Sequence, residues 1–240
     1  MRENAGCRSM QFTEKRMHKL FTVGFSSYPE LDDFFSILKK YDIHAIADVR
    51  SQPYSSYYKI YNKENLEKEC KAKGFLYGAM GKWLGARRDE HDPNEALAYD
   101  ENGVARYERI VNLPWFRQGI AHLKEKTLPQ RNVVLLCAEK DPMTCHRAIL
   151  IGRHMAESCD VVHIWPHGDK ELETHKELEE RLKLEYNQNA LKPQQLTFFG
   201  KPEKQKSLDE CYQKHGEKIA YKKDSGTKQS NQHINEDEYD

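Results

Sequence analysis

Two nearly continuous apolar runs, residues 43–49 (IHAIADV) and 132–138 (NVVLLCA), most constrain what this chain can become. A strand with one wet face alternates polar and apolar residues, whereas an unbroken run suits a strand covered on both faces, the condition of parallel sheets. Residues 20–24 (LFTVG), 75–77 and 161–165 read as further strands. Between them lie helical patterns. Leu31, Phe34, Phe35 and Leu38 fall at helical spacing in a segment that runs to Tyr41; Asn62 is placed to cap a helix to Lys73, stopped by Gly74. Pro114 opens another helix to Lys126, and one more is expected from Thr144 to Glu157. Residues 81–103 read as a long loop.

This alternation predicts an α/β fold: an open, mainly parallel, Rossmann-like sheet with helices on both faces, plus a C-terminal helical extension. The expected organisation is a flexible N-terminal segment (1–17), the α/β domain (18–190) and an extension with an apolar motif and a helix (191–222). Residues 223–240, nearly devoid of apolar side chains, are expected to be a disordered tail. Within the domain a charged helix is expected over 171–186, and in the extension a helix over 207–221.

The 38 Lys and Arg balance 38 Asp and Glu, which removes any global basic field for nonspecific nucleic-acid binding. No apolar run approaches the roughly 20 residues of a membrane span, so no membrane partner is expected. The six cysteines lie far apart in a chain large enough to fold without staples, so reduced thiols and a cytoplasmic setting are expected.

Open parallel sheets bind ligands outside the carboxyl ends of their strands, where Asp48, Arg50 and Cys137 fall. Asp48 and Arg50, two apart on a strand, project to the same face. Cys145 stands at a helix start, where free amides and the macrodipole stabilise an anion or a thiolate. His146 and Arg147 reinforce that field, and Glu139 suits a general base. The catalytic candidates are therefore Cys137, Glu139, Cys145 and His146; the anion-binding candidates are Asp48, Arg50, Arg87, Arg88 and Arg147. Tyr54, Tyr57, Tyr58 and Tyr61 could stack on bases or pack locally. A metal reading would draw on Cys137, Cys145, His146 or His44. There is no CxxC pair, and on a helix Cys145 and His146 would point about 100° apart, so no metal ligand is assigned.

At these residues the chain resembles the domain-of-unknown-function family DUF488. The matching pieces are TVGFSS near Gly24, ADVRSQPYSSYYKIYNKENL from Ala47, KWLGARR from Lys82, LLCAEKDPMTCHRAIL from Leu135 and VVHIWPHG from Val161. Resemblance extends through LTFFG and DECYQKHGEKIAY, and so covers roughly residues 18–222. It implies a Rossmann-like fold and a link to rhodanese-like and phosphatase-like folds, in which a strand–loop–helix cradle presents a cysteine to an anion. The nine residues between Cys137 and Arg147 exceed a phosphatase loop, so that cradle does not carry over intact. Gly85-Ala86 stands where the family is expected to pair two glycines, and an apolar motif similar to DLF is replaced by Gln195-Leu196-Thr197-Phe198-Phe199.

The functional expectation is an enzyme acting on a phosphate-bearing nucleotide or nucleic-acid component through the strand-end Cys/Arg site. The alternatives are a noncatalytic nucleotide- or metal-binding regulatory module and a thiol redox protein. The sequence identifies no cofactor. Gln195, Leu196, Phe198 and Phe199 resemble the peptides that dock onto a sliding clamp, a polar anchor followed by apolar ones.

Overall fold

The computed structural model describes residues 18–88, 92–166, 171–191 and 205–223, with side chains in the first long helix after residue 174 described only to 188. The expected flexible N-terminal segment, the clamp-like motif at 195–199 and residues 224–240 lie outside the described residues. Strands β1 (Leu20–Gly24), β2 (Ile43–Asp48), β3 (Leu76–Ala79), β4 (Asn132–Cys137), β5 (Val161–Ile164) and β6 (Leu172–Thr174) form one sheet in the order β3-β2-β4-β1-β5-β6. All pairings are parallel except β5 with β6. The two apolar runs are adjacent central strands, and side chains of both faces are buried.

Helices cover both faces. On one, Phe34, Phe35 and Leu38 of α1 (Leu31–Lys40) and Leu66 and Cys70 of α2 (Lys63–Lys73) pack on Phe21, Ile46, Val134 and Leu136. Each such apolar side chain contributes about 1.5–3 kcal/mol on burial. Asp32 and Asp33 at its start and Lys39 and Lys40 at its end complement the dipole of α1. Gly74 ends α2 at φ 78°, the left-handed conformation glycine adopts without penalty. Asn62 occupies the cap position of α2, but its side chain accepts from Ser55 N at 2.7 Å instead.

On the other face lie α6 (Pro114–Ala121), which continues as a π-helical stretch His122–Thr127, and the helical segment after β4. The segment expected as one loop over 81–103 contains α3 (Gly81–Leu84) and α4 (Pro93–Ala96), each a single turn too short for a periodic signal. A further turn, α5 (Tyr107–Ile110), precedes α6. The helix expected from Thr144 is also interrupted. A 3-10 turn Pro142–Thr144 leads to Cys145 in extended conformation, then a π-helical stretch Arg147–Gly152 and α7 (Arg153–Ala156). Asp141 imposes the break, accepting from Met143 N at 2.8 Å while both its oxygens accept from Arg181.

The charged segment expected as helix from Glu171 begins as strand β6 and becomes α8 (His175–Leu191) only after Thr174, whose hydroxyl accepts from Glu177 N. The terminal helix α9 (Leu208–Ile219) carries a full capping box between Ser207 and Glu210 and packs on α8. Lys223, assigned to the tail by sequence, donates its backbone N–H to Gly103 O at 2.9 Å.

Beneath α8 and α9 runs a buried polar chain. Thr22 Oγ1 bonds His163 Nδ1 at 2.8 Å, His163 Nε2 bonds His175 Nδ1 at 3.0 Å, and His175 Nε2 bonds the Tyr212 hydroxyl at 2.9 Å. Burial, then neighbouring Arg153, holds His175 down to about 4, and burial with His175, Arg147 and Arg181 lowers His163 well below its ordinary value. An unfolded histidine titrates near 6.5, so below that pH the unfolded chain binds more protons and folding is penalised. The fold should lose on the order of 3 kcal/mol through His175 between about pH 6.5 and pH 4. Chemical denaturation along that range should show a shallower loss for His175→Gln than for the unaltered chain; parallel slopes would refute the assignment.

Candidate functional site

Three strand ends build the site. The chain leaves β1 through Phe25, β2 through Val49 to Ser51, and β4 through Ala138 and Glu139, and these turns surround a cleft of about 370 Å³. Helices that follow β1 and β2 pack on one face and the helix that follows β4 on the other, so the chain diverges here and leaves a crevice. Gly24 makes the convergence sterically possible. A Cβ there would stand 1.8 Å from Glu139 O, so any side chain would push the β4 turn away. Gly81 plays the same part for β2, where a Cβ would lie 2.1 Å from Arg50 O.

At the floor sit Cys137 and Cys145, 4% and 2% exposed. His146 Nδ1 lies 3.9 Å from the Cys137 sulfur and 3.8 Å from that of Cys145. Its Nε2 is 3.1 Å from Val49 O. A carbonyl only accepts, so Nε2 carries the proton and the imidazole turns Nδ1 to the sulfurs. Because Cys145 is extended, it precedes the helix and does not share the 100° helical offset from His146 expected from sequence. Its carbonyl accepts from Ala148 N and Ile149 N, and its sulfur from Arg147 N at 3.5 Å. That is the geometry of a helix cap with sulfur as the acceptor.

Burial opposes ionisation of Cys145, but the Cys137 thiol, Arg147 and His146 outweigh it and hold its pKa well below the usual thiol range. The Cys145 charge, with burial, correspondingly raises Cys137. The imidazole of His146 is also raised, Cys145 overcoming the effect of burial. Glu139, at the cleft wall with a half-exposed side chain, is raised by burial and then by Cys145.

Among the five anion-binding candidates, the cleft receives Arg50 and Arg87. Arg50 is held by Asp48, with Nε to Oδ1 at 2.8 Å and Nη2 to Oδ2 at 2.5 Å, and by Tyr61 O at 2.8 Å. Its Nη1 has no hydrogen-bond partner among the described residues. The shared face expected for Asp48 and Arg50 is thus realised as a buried ion pair, and Asp48, which also accepts from the Tyr77 hydroxyl at 2.8 Å, orients the guanidinium from below the cleft. Arg87 is exposed, anchored by its backbone N–H to Ser51 Oγ at 2.8 Å, with its guanidinium over the ring of Tyr221.

Arg88 and Arg147 are not brought to the cleft surface. Arg88 turns inward, 3.4 Å above the Trp115 ring and donating to Lys82 O, and burial lowers it to about 10. Arg147 has no exposure and donates to Glu139 O at 2.7 Å and Lys140 O at 3.1 Å, pinning the β4 turn. His44 is exposed beside Asp42, away from the cysteines. Of the tyrosines, Tyr54 lines the cleft, Tyr57 is 92% exposed and Tyr61 is core, its hydroxyl donating to Tyr28 O. Sequence reasoning missed Tyr107 and Tyr221. Tyr107 belongs to a single turn without periodicity, and Tyr221 reaches the cleft because residues after α9 pair with the 104–105 segment.

Arg147→Ala should therefore destabilise the fold, by about 3 kcal/mol, since it removes two charge-assisted bonds that hold the β4 turn and empties the space of a fully buried side chain. Urea unfolding checks this; a variant as stable as the unaltered chain would return Arg147 to a ligand-binding role.

No curated protein and no solved structure matches the chain. The profile of the family described as "Domain of unknown function DUF488" matches residues 30–153, from the turn before α1 to the start of α7. That span contains Asp48, Arg50, Arg87, Cys137, Glu139, Cys145, His146 and Arg147, and it takes in more than half of the 240 residues. The chain belongs to the DUF488 family.

Proposed function

We propose that the protein is an enzyme acting on a phosphate-bearing nucleotide or nucleic-acid component at this strand-end Cys/Arg site. The observation that carries the reading is one cleft in which uncommitted guanidinium donors stand over a buried Cys–Cys–His cluster. Arg50 arrives rigidly oriented by Asp48 with Nη1 free, and exposed Arg87 forms no ion pair among the described residues. Arg87 supplies a planar donor fork and Arg50 its Nη1 donors, both suited to phosphoryl oxygens. Tyr54 and Tyr221 add aromatic faces at the same cleft, which suits a base next to the phosphate.

In this reading Cys137, Cys145 and His146 form the reactive floor, and Glu139 moves protons from the wall, being the member of the group that solvent and substrate both reach. Asp48 and Arg147 are positioning residues. One orients Arg50, and the other fixes the turn that carries Glu139.

Calorimetric titration with inorganic phosphate, a nucleoside monophosphate and its parent nucleoside tests the substrate class. The phosphate-bearing ligands should bind and the nucleoside should bind far more weakly. Arg87→Ala should weaken the monophosphate by about 10-fold or more, the worth of a charge-assisted hydrogen bond, with little change in melting temperature because its side chain is exposed. Equal affinity for nucleotide and nucleoside, or an Arg87→Ala variant that binds like the unaltered chain, would remove the proposal.

A further inference from the structure

We propose that Cys137, Cys145 and His146 are three ligands of a zinc-class metal centre whose fourth position opens into the cleft. The inference rests on the reading of the cleft as a working site for its purpose; the ligand geometry stands independently. One donor atom from each residue lies within 4.8 Å of the others, and all three residues are buried. Tetrahedral zinc, with bonds of about 2.3 Å to sulfur and about 2.0–2.1 Å to nitrogen, sets a sulfur–nitrogen edge of roughly 3.6 Å. The two edges here are 3.9 and 3.8 Å, within a few tenths of an ångström of that requirement.

The imidazole is arranged as a ligand. Nε2–H is committed to Val49 O, which fixes the ring and leaves the Nδ1 lone pair facing both sulfurs, the outer-shell bond that ligating histidines commonly make. The ligands stand on firm supports: Cys137 ends the central strand β4, and Cys145 and His146 open the helical segment that packs on it.

Two sulfurs and an imidazole are a soft-to-borderline donor set that selects zinc-like ions over magnesium or calcium. Three protein ligands with an open position are the catalytic rather than the structural pattern. A metal so held polarises a phosphoryl oxygen or binds a water, with Glu139 beside it to accept the proton. In this arrangement Cys145 serves as ligand rather than as attacking atom.

The full chain, purified under reducing conditions without chelator, should carry one equivalent of zinc by elemental analysis. After chelation, cobalt(II) should give the thiolate-to-metal charge-transfer band and tetrahedral d–d bands, a spectrum obtained from the unaltered sequence. Cys137→Ser, Cys145→Ser and His146→Gln should each weaken zinc more than about 100-fold, beyond the effect of outer-shell changes, whereas Cys159→Ser and Cys211→Ser should not. A metal-free chain with all thiols reduced and no cobalt–thiolate band overturns the centre, even where the three variants do not fold. Phosphate titration of the same samples separates the two proposals. Phosphate binding by a chain that takes no metal overturns the centre and keeps the substrate reading; stoichiometric zinc without phosphate binding does the reverse.

Discussion

The site depends on a cation with no access to water. Arg147 reaches from the start of the post-β4 helical segment to the carbonyls of Glu139 and Lys140, and its own backbone N–H is donated to the Cys145 sulfur. A guanidinium sealed in a protein interior is costly unless its donors are met and an anion stands nearby; here Nη1 and Nη2 are met by the two carbonyls while Nε is left without a partner among the described residues. Those demands fix the turn after β4 against the helix and favour negative charge on the adjacent thiol. Gly24 admits the same turn from the other side, since only a residue without Cβ lets Glu139 O approach β1 so closely. One buried charge and one missing methyl thus position both cysteines and the Glu139 backbone.

The sheet was legible because its signal is redundant. Residues 43–48 and 132–137 are apolar on both faces, a pattern only doubly covered strands satisfy, and Gly74 and Pro114 mark helix ends through their own backbone chemistry. Single-turn elements were not legible. Gly81–Leu84 and Pro93–Ala96 offer no repeat, and Leu84 is fully buried through contacts with α6 that local sequence does not encode. The break at Cys145 escaped for a related reason. Asp141 caps the start of the 3-10 turn, and Arg181, forty residues away, holds its carboxylate there.

Site residues divide along the same line. Cys137, Asp48 and Arg50 could be placed from strand periodicity alone, and their strand-end position follows from the parallel sheet. Which arginines face the cleft could not, because a guanidinium on a loop has no periodic neighbour to fix its direction. Arg87 and Arg88 are adjacent in sequence, yet one lies over Tyr221 at the cleft and the other under Trp115 in the core. Packing decides the difference: the planar cation of Arg88 recovers part of its lost hydration from the indole face. Tyr221 illustrates the long-range limit, since it lines the cleft only because the chain returns after α9.

The proposed function asks two competing things of the cleft. A reactive sulfur or a metal requires a dry, rigid floor, whereas a phosphate must be met by donors that solvent can reach. Here the floor is built from β4 and the helix that follows it, the exposed guanidinium of Arg87 comes from the loop after α3, and buried Arg50 stands between them at the end of β2. Asp48 joins the two levels. It is itself buried, it fixes the Arg50 guanidinium at the base of the cleft, and its second partner, Tyr77, ties that pair to the edge strand β3. The edge strand, otherwise exposed at Leu76, therefore helps to hold the Arg50 guanidinium in one orientation without lining the cleft itself.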